Sequence, residues 1–279
     1  PGFGQPISSS RHRRTRPSRR TDFVSTETTD APAKGDMSLI EHLKELRNRL
    51  LRAAVAIVIG AVIGWIFYEK IFSFLTVPYC DVVEAKRQTC ALTSFDPLEP
   101  FGFRAQVAGY SGIFIALPVI FYQLWRFIAP GLYRKEKAYA ATFVALSTTL
   151  FVSGAAVAYL TLPKALEFLL TIGGEGIDNL TNVTKYTTLV LFTMAAFGVG
   201  FEFPILLIAL QFVGVVQPST LSKWRREAIV GITALAAIIT PSVDPISMFA
   251  LAIPLYVFYE ASILAGRLIV RRREKARLS

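Results

Sequence analysis

Long apolar blocks, almost empty of charge, divide this chain and decide its fold class before any motif is read. Lipid offers no hydrogen-bond partner to an open backbone, so a segment that crosses it must satisfy its amides internally. One helical crossing takes about 20 mostly apolar residues. Such blocks lie at about 51–68, 99–127, 138–162 and 185–213, and two shorter ones follow at about 228–240 and 246–264. Charged residues make up 18% of the chain, against roughly a quarter in a soluble domain. The deficit is concentrated in the blocks. The expected fold is therefore all-α: a polytopic membrane protein with six transmembrane helices. A net charge of +10 would suggest nucleic acid in a soluble protein. Here the basic residues flank the apolar blocks, and no nucleic-acid partner is expected.

The last two spans are expected to be short. The block at 228–240 has 13 residues, roughly 20 Å of helix against a hydrocarbon core of about 30 Å. The block at 246–264 is interrupted by Pro254 and Glu260. A re-entrant hairpin and two short spans in locally thinned lipid both fit, and the charge on both flanks favours the spans. Lys and Arg set the orientation. Lys44, Arg47, Arg49 and Arg52 precede the first span. Arg126, Arg134, Lys135 and Lys137 follow the second, Lys223, Arg225 and Arg226 follow the fourth, and six basic residues run from Arg267 onward. The intervening loops carry fewer, so both termini are expected in the cytoplasm.

Three regions follow. Residues 1–36 read as a disordered basic arm, 37–266 as the membrane domain, and 267–279 as a basic tail. Around 38–49 a basic amphipathic helix is expected, with Leu39, Leu43, Leu46 and Leu50 on one stripe and Ser38 as its cap. Polar outer loops are expected at about 69–97 and 163–184. Cys80 and Cys90 fall in the first of these, where a disulfide and two free thiols both fit the spacing.

Enzymatic chemistry finds little support. Gly109-Tyr-Ser111-Gly112 matches the G-x-S-G pattern of intramembrane serine proteases, but such a serine needs a base. His12 and His42 are the only histidines, and both lie outside the spans. Close helix packing explains the small residues better. No metal-ligand spacing and no phosphate-binding glycine loop is present, so no metal or cofactor is expected.

The carboxylates are more informative. Glu202 lies deep in the fourth span, where a carboxylate is costly and is usually paired or functional. A protonated Glu202 bonded to a neighbouring helix and a polar contact for a partner's membrane segment are both consistent with that depth. Pro204 predicts a kink nearby. Asp244 sits in the tight outer turn between the last two spans. Glu45 and Glu136 stand in basic cytoplasmic stretches; they fit ordinary charge alternation, and equally a pair of acceptors for two guanidinium groups.

From residue 37 to about 266 the sequence resembles the TatC family, the core component of twin-arginine translocases. The resemblance is carried by His42-Leu-Lys-Glu45-Leu-Arg47, by Pro118-Val-Ile-Phe-Tyr-Gln123-Leu-Trp125-Arg-Phe127-Ile-Ala-Pro130-Gly-Leu132, and by Phe197-Gly-Val-Gly-Phe-Glu202-Phe-Pro204. Thr240-Pro241 with Asp244 and Ala252-Ile-Pro254 follow in the same order. The resemblance implies a non-enzymatic receptor that binds twin-arginine signal peptides of folded proteins. It implies TatB-like and TatA-like single-span partners in an oligomeric complex driven by the proton-motive force, in a prokaryotic plasma membrane. It places Glu45, Glu136, Arg47 and Phe127 at the twin-arginine site and Glu202 on a polar-lined surface within the membrane. Arg126 is a departure, adding a positive charge beside that site.

Overall fold

A backbone in lipid is satisfied within a helix or a closed barrel, and uninterrupted apolar blocks suit the helix; the described residues form helices and no strand. A computed structural model describes Gly2 and residues 39–128, 140–172, 181–240 and 244–278. The 1–36 arm apart from Gly2, the Ser38 cap and Glu136 lie outside the described residues. Nine helices occur among those described: α1 (Leu39–Ile66), α2 (Tyr68–Ala85), α3 (Glu99–Ile128), α4 (Ala140–Thr171), α5 (Val183–Phe201), α6 (Phe203–Val213), α7 (Pro218–Lys223), α8 (Arg225–Ile239) and α9 (Pro245–Leu278). Five stretches are long and apolar enough to cross a membrane: Leu43–Ile66, Glu99–Phe127, Ala141–Thr171, Val183–Gln211 and Pro245–Leu268. The apolar α8, with 15 residues, completes six.

The expected shortness holds for α8, whose length is roughly 22 Å. α9 differs: it runs for 34 residues straight through Pro254, and its apolar part counts 24. A proline removes one amide donor, but packing against neighbouring helices lets a membrane helix continue. Glu260 does not interrupt it either. Arg225 at the start of α8 donates to the Glu260 carboxylate at 2.7 Å, and Tyr256 donates to its other oxygen at 3.4 Å.

Two further expectations are corrected. The stretch at 69–97 is not all loop, because the 18-residue α2 begins one residue before it and runs to Ala85. Tyr68, Ile71, Leu75, Tyr79, Val82 and Val83 recur at helical spacing and pack on Val107, Leu162, Leu166, Tyr186 and Val190. Glu69, Lys70, Asp81 and Glu84 lie outside that packed face, which gives the segment a loop-like composition. The amphipathic helix and the first span are also not separate, since α1 is continuous. Its leucine stripe is exposed at Leu43, Leu46 and Leu50.

Packing falls into two clusters. The one around α2 has just been described. The other joins Ala158 of α4, Phe197 and Phe201 of α5, Leu207 of α6, Ile232 and Ala236 of α8, and Leu251, Leu255, Tyr259 and Ile263 of α9. α1 belongs to neither. It runs antiparallel to α3 and meets it backbone to backbone: a Cβ on Gly60 would stand 2.7 Å from the Gly112 carbonyl, and one on Gly112 would stand 2.6 Å from the Ile57 carbonyl. Ser111 packs on Gly64 in the same seam. Gly112 and Ser111 of the G-x-S-G pattern are thus used for helix approach.

The fourth span breaks at Glu202, between α5 and α6. Pro204 has no amide hydrogen to give the Gly200 carbonyl, and the Glu202 amide turns back to Val199 at 3.1 Å. At the end of the bundle where α5 begins, Asn182 caps that helix by accepting from the Lys185 amide at 2.9 Å. Its own amide donates to Glu99 at 2.6 Å. Main-chain bonds between Thr93 and residues 181 and 183 complete this tie. Cys80 and Cys90 stand in disulfide contact, with sulfurs 1.97 Å apart, joining α2 to the segment that follows it.

Two outcomes are expected. Gly112→Leu should lower the thermal midpoint of the detergent-solubilised protein, by a cost of about 1–3 kcal/mol. Gly109→Leu, where a Cβ meets nothing within 4 Å, should leave it nearly unchanged; equal effects would contradict the backbone seam. Alkylation of the full-length protein without reductant should leave Cys80 and Cys90 unlabelled, and labelling of both before reduction would exclude the bridge.

Candidate functional site

The beginning of α1 and the end of α3 meet at one end of the bundle, and a polar cluster forms there. Glu45 and Arg49 are four residues apart on α1, which puts them on one face with the carboxylate toward the helix N-terminus, the favourable order. Arg49 donates to the Glu45 carboxylate through Nη2. The guanidinium is buried although α1 as a whole is lipid-exposed, because it turns into the seam against α3. There Nη1 donates to the main-chain carbonyl of Gln123 at 3.4 Å. Its carbon lies 5.9 Å from the centroid of the Phe127 ring, within the range of a cation–π contact.

The cluster holds unspent polar capacity. Among the described residues, Glu45 Oε2, Gln123 Oε1 and Trp125 Nε1 are buried without a hydrogen-bond partner. The Trp125 ring is itself fixed, stacked on Phe143 of α4 at 4.0 Å. A buried acceptor left without a donor costs roughly 1–3 kcal/mol. Two such acceptors and one donor at one end of a helix pair make a place that a ligand with complementary groups can satisfy.

The sequence-predicted residues divide as follows. Glu45 and Phe127 are brought together, each contacting Arg49. Arg47 is exposed, two residues from both Glu45 and Arg49 and so on another face of α1. Glu136 lies outside the described residues. In the sequence Arg49 stands out only as one of the basic residues that precede the first span; its spacing of four from Glu45 is the available signal. Gln123 lay inside a recognised motif, but nothing in the sequence marks a main-chain carbonyl as an acceptor.

Glu202 stands apart from this cluster, at the α5–α6 break. It is half-buried close to Ser147 of α4, and its Oε1 has no hydrogen-bond partner among the described residues. Asp244 lies at the far end of α9 and is buried. Its Oδ1 accepts from the Ser247 amide at 2.6 Å, so it caps that helix. At the end of the bundle opposite the Glu45 cluster, Arg104 lies over Trp65 at 4.8 Å and over Tyr68 at 4.9 Å. Burial pushes the Tyr68 phenol above its ordinary pKa, and the Arg104 charge opposes that shift.

The comparisons agree on one family. The sequence model of the family described as Sec-independent protein translocase protein (TatC) matches residues 41–254. A protein of that name from Frankia casuarinae is 38% identical over 92% of this chain and 72% of its own length. One from Corynebacterium kroppenstedtii is 36% identical over 85% of this chain, which spans 63% of that longer relative. Among solved structures, the crystal structure of the twin arginine translocase receptor TatC superposes with a TM-score of 0.67 at 38% identity, covering 82% of this chain and 99% of the other. The apolar helices, their order and the matched motifs thus have one explanation: this chain is a multi-pass membrane protein and belongs to the TatC family of Sec-independent protein translocases.

Proposed function

We propose that this chain is the receptor subunit of a twin-arginine translocase, binding signal peptides of folded cargo where α1 begins and α3 ends. The observation that carries this reading is the Glu45 carboxylate, which stands beside an aromatic face and a main-chain carbonyl and already engages one guanidinium. Carboxylates bind arginine through paired charge-assisted hydrogen bonds, a geometry an ammonium lacks. Two adjacent arginines call for two acceptors, and Glu136 is the proposed second. Arg47, exposed on α1, lies near the same end and tunes its charge.

The Lys and Arg distribution supports a cytoplasmic position for this end and for both termini, and the family resemblance supports a prokaryotic plasma membrane. Glu202, with an unpartnered oxygen at the α5–α6 break, is the proposed membrane-depth contact for a partner helix or signal peptide. The partners are TatB-like and TatA-like single-span proteins, assembled into an oligomer. Export draws on the proton-motive force, and this chain performs no catalysis of its own.

Glu45→Gln and Glu136→Gln should each weaken crosslinking to a twin-arginine peptide by about tenfold, the loss of one charged hydrogen-bonding acceptor, and the double variant should abolish export. Full export by the double variant would remove the site assignment. At Glu202, cysteine scanning should give a disulfide to a single-span partner; a position reached only by lipid-soluble reagents would exclude that contact.

A further inference from the structure

Glu45 is not an empty acceptor, because the chain fills it with its own Arg49. The three groups around that guanidinium are a carboxylate, the Phe127 ring and the Gln123 main-chain carbonyl. These are the groups that recognise guanidinium in general. Yet the pairing is incomplete. Only one carboxylate oxygen is engaged, and Oε2 stays buried without a donor among the described residues. Arginine–carboxylate pairs are frequently bidentate, both oxygens against two nitrogens, and this one is not.

We infer that Arg49 is a place-holder for a ligand arginine, so that binding exchanges one guanidinium for another on Glu45 and Arg49 sets how strictly the site demands arginine. This rests on the proposed reading of Glu45 as an arginine acceptor. An incoming arginine restores what Arg49 gives up: the charge, the planar hydrogen bonds and the contact with Phe127. An incoming lysine restores the charge and single hydrogen bonds but not the planar fork or the stacked face, and its ammonium is more costly to desolvate. Exchange is then close to neutral for arginine and uphill for lysine. A vacant Glu45 would reward either cation, so the occupant sharpens discrimination while lowering affinity. Arg49 is suited to leave, since its carboxylate partner sits on its own helix and, among the described residues, the Gln123 and Phe127 contacts tie it to α3.

The test uses the full chain in nanodiscs of zwitterionic lipid, with synthetic peptides carrying Arg-Arg or Lys-Lys before one apolar segment. The wild type should prefer Arg-Arg. In Arg49→Met both peptides should bind more tightly and the preference should fall by about two- to fivefold, the range of a partly exposed ion pair. Arg49→Lys should move the same way by less. An unchanged preference, or weaker Arg-Arg binding in a variant that keeps the wild-type thermal midpoint, would overturn the inference. A readout on the wild type covers the case of unfolded variants. Arg49 should be protected from phenylglyoxal in the free protein and become modified when the Arg-Arg peptide is added. Protection that persists at saturating peptide would overturn the exchange. Failure of the wild type to prefer Arg-Arg would instead overturn the proposed function itself.

Discussion

The backbone contact between α1 and α3 is the constraint on which the candidate site depends. α1 contributes almost nothing to the two packed clusters, and Val55, Val58, Ile59, Val62 and Ile66 are exposed. Lipid tails are as apolar as these side chains, so no hydrophobic force holds the helix to its neighbours. Close approach through Gly60, Gly64 and Gly112 replaces that force with van der Waals contact along the seam. The same approach fixes the register of the two antiparallel helices. It places Arg49 beside Gln123 and Phe127 at one end and Trp65 beside Arg104 at the other. A side chain at Gly112 would act on the polar cluster without touching it.

Several polar groups at or near membrane depth are tied to structural devices. Arg225 and Glu260 join α8 to α9, which matters because α8 alone is too short to anchor itself across a bilayer of ordinary thickness. Gln211 of α6 donates to the Ser262 carbonyl of α9 at 3.1 Å, and its side-chain end lies where a Cβ at Gly266 would stand. Asp244 caps α9 at its buried start. Among the carboxylates, Glu45 and Glu202 each keep one buried oxygen without a partner among the described residues, as the Gln211 amide also does. That oxygen sets these two carboxylates apart from the structural ones.

Much of the fold is legible in the sequence because lipid makes simple demands. Charge-free length predicts the spans, and the bounds expected for the second span, 99–127, differ by one residue from α3 (Glu99–Ile128). What escaped has a physical reason in each case. α2 does not cross, so it needs one apolar face and its composition resembles a loop. α9 passes Pro254 because neighbours supply the support that the lost amide cannot. The site is legible only in part. Glu45 and Phe127 are marked by motif, whereas the partnership of Arg49 with a main-chain carbonyl on α3 depends on helix register, which no local pattern contains.

The central claim is that the end of the bundle where α1 begins and α3 ends is a seat for consecutive arginines. The most direct test maps a photoreactive group placed beside the arginine pair of a signal peptide onto the full-length protein by mass spectrometry. The account predicts adducts on the first three turns of α1 and the last turns of α3, lost when both arginines are replaced by lysine. Adducts confined to α2 or to the segment around Thr93, at the opposite end, would contradict it.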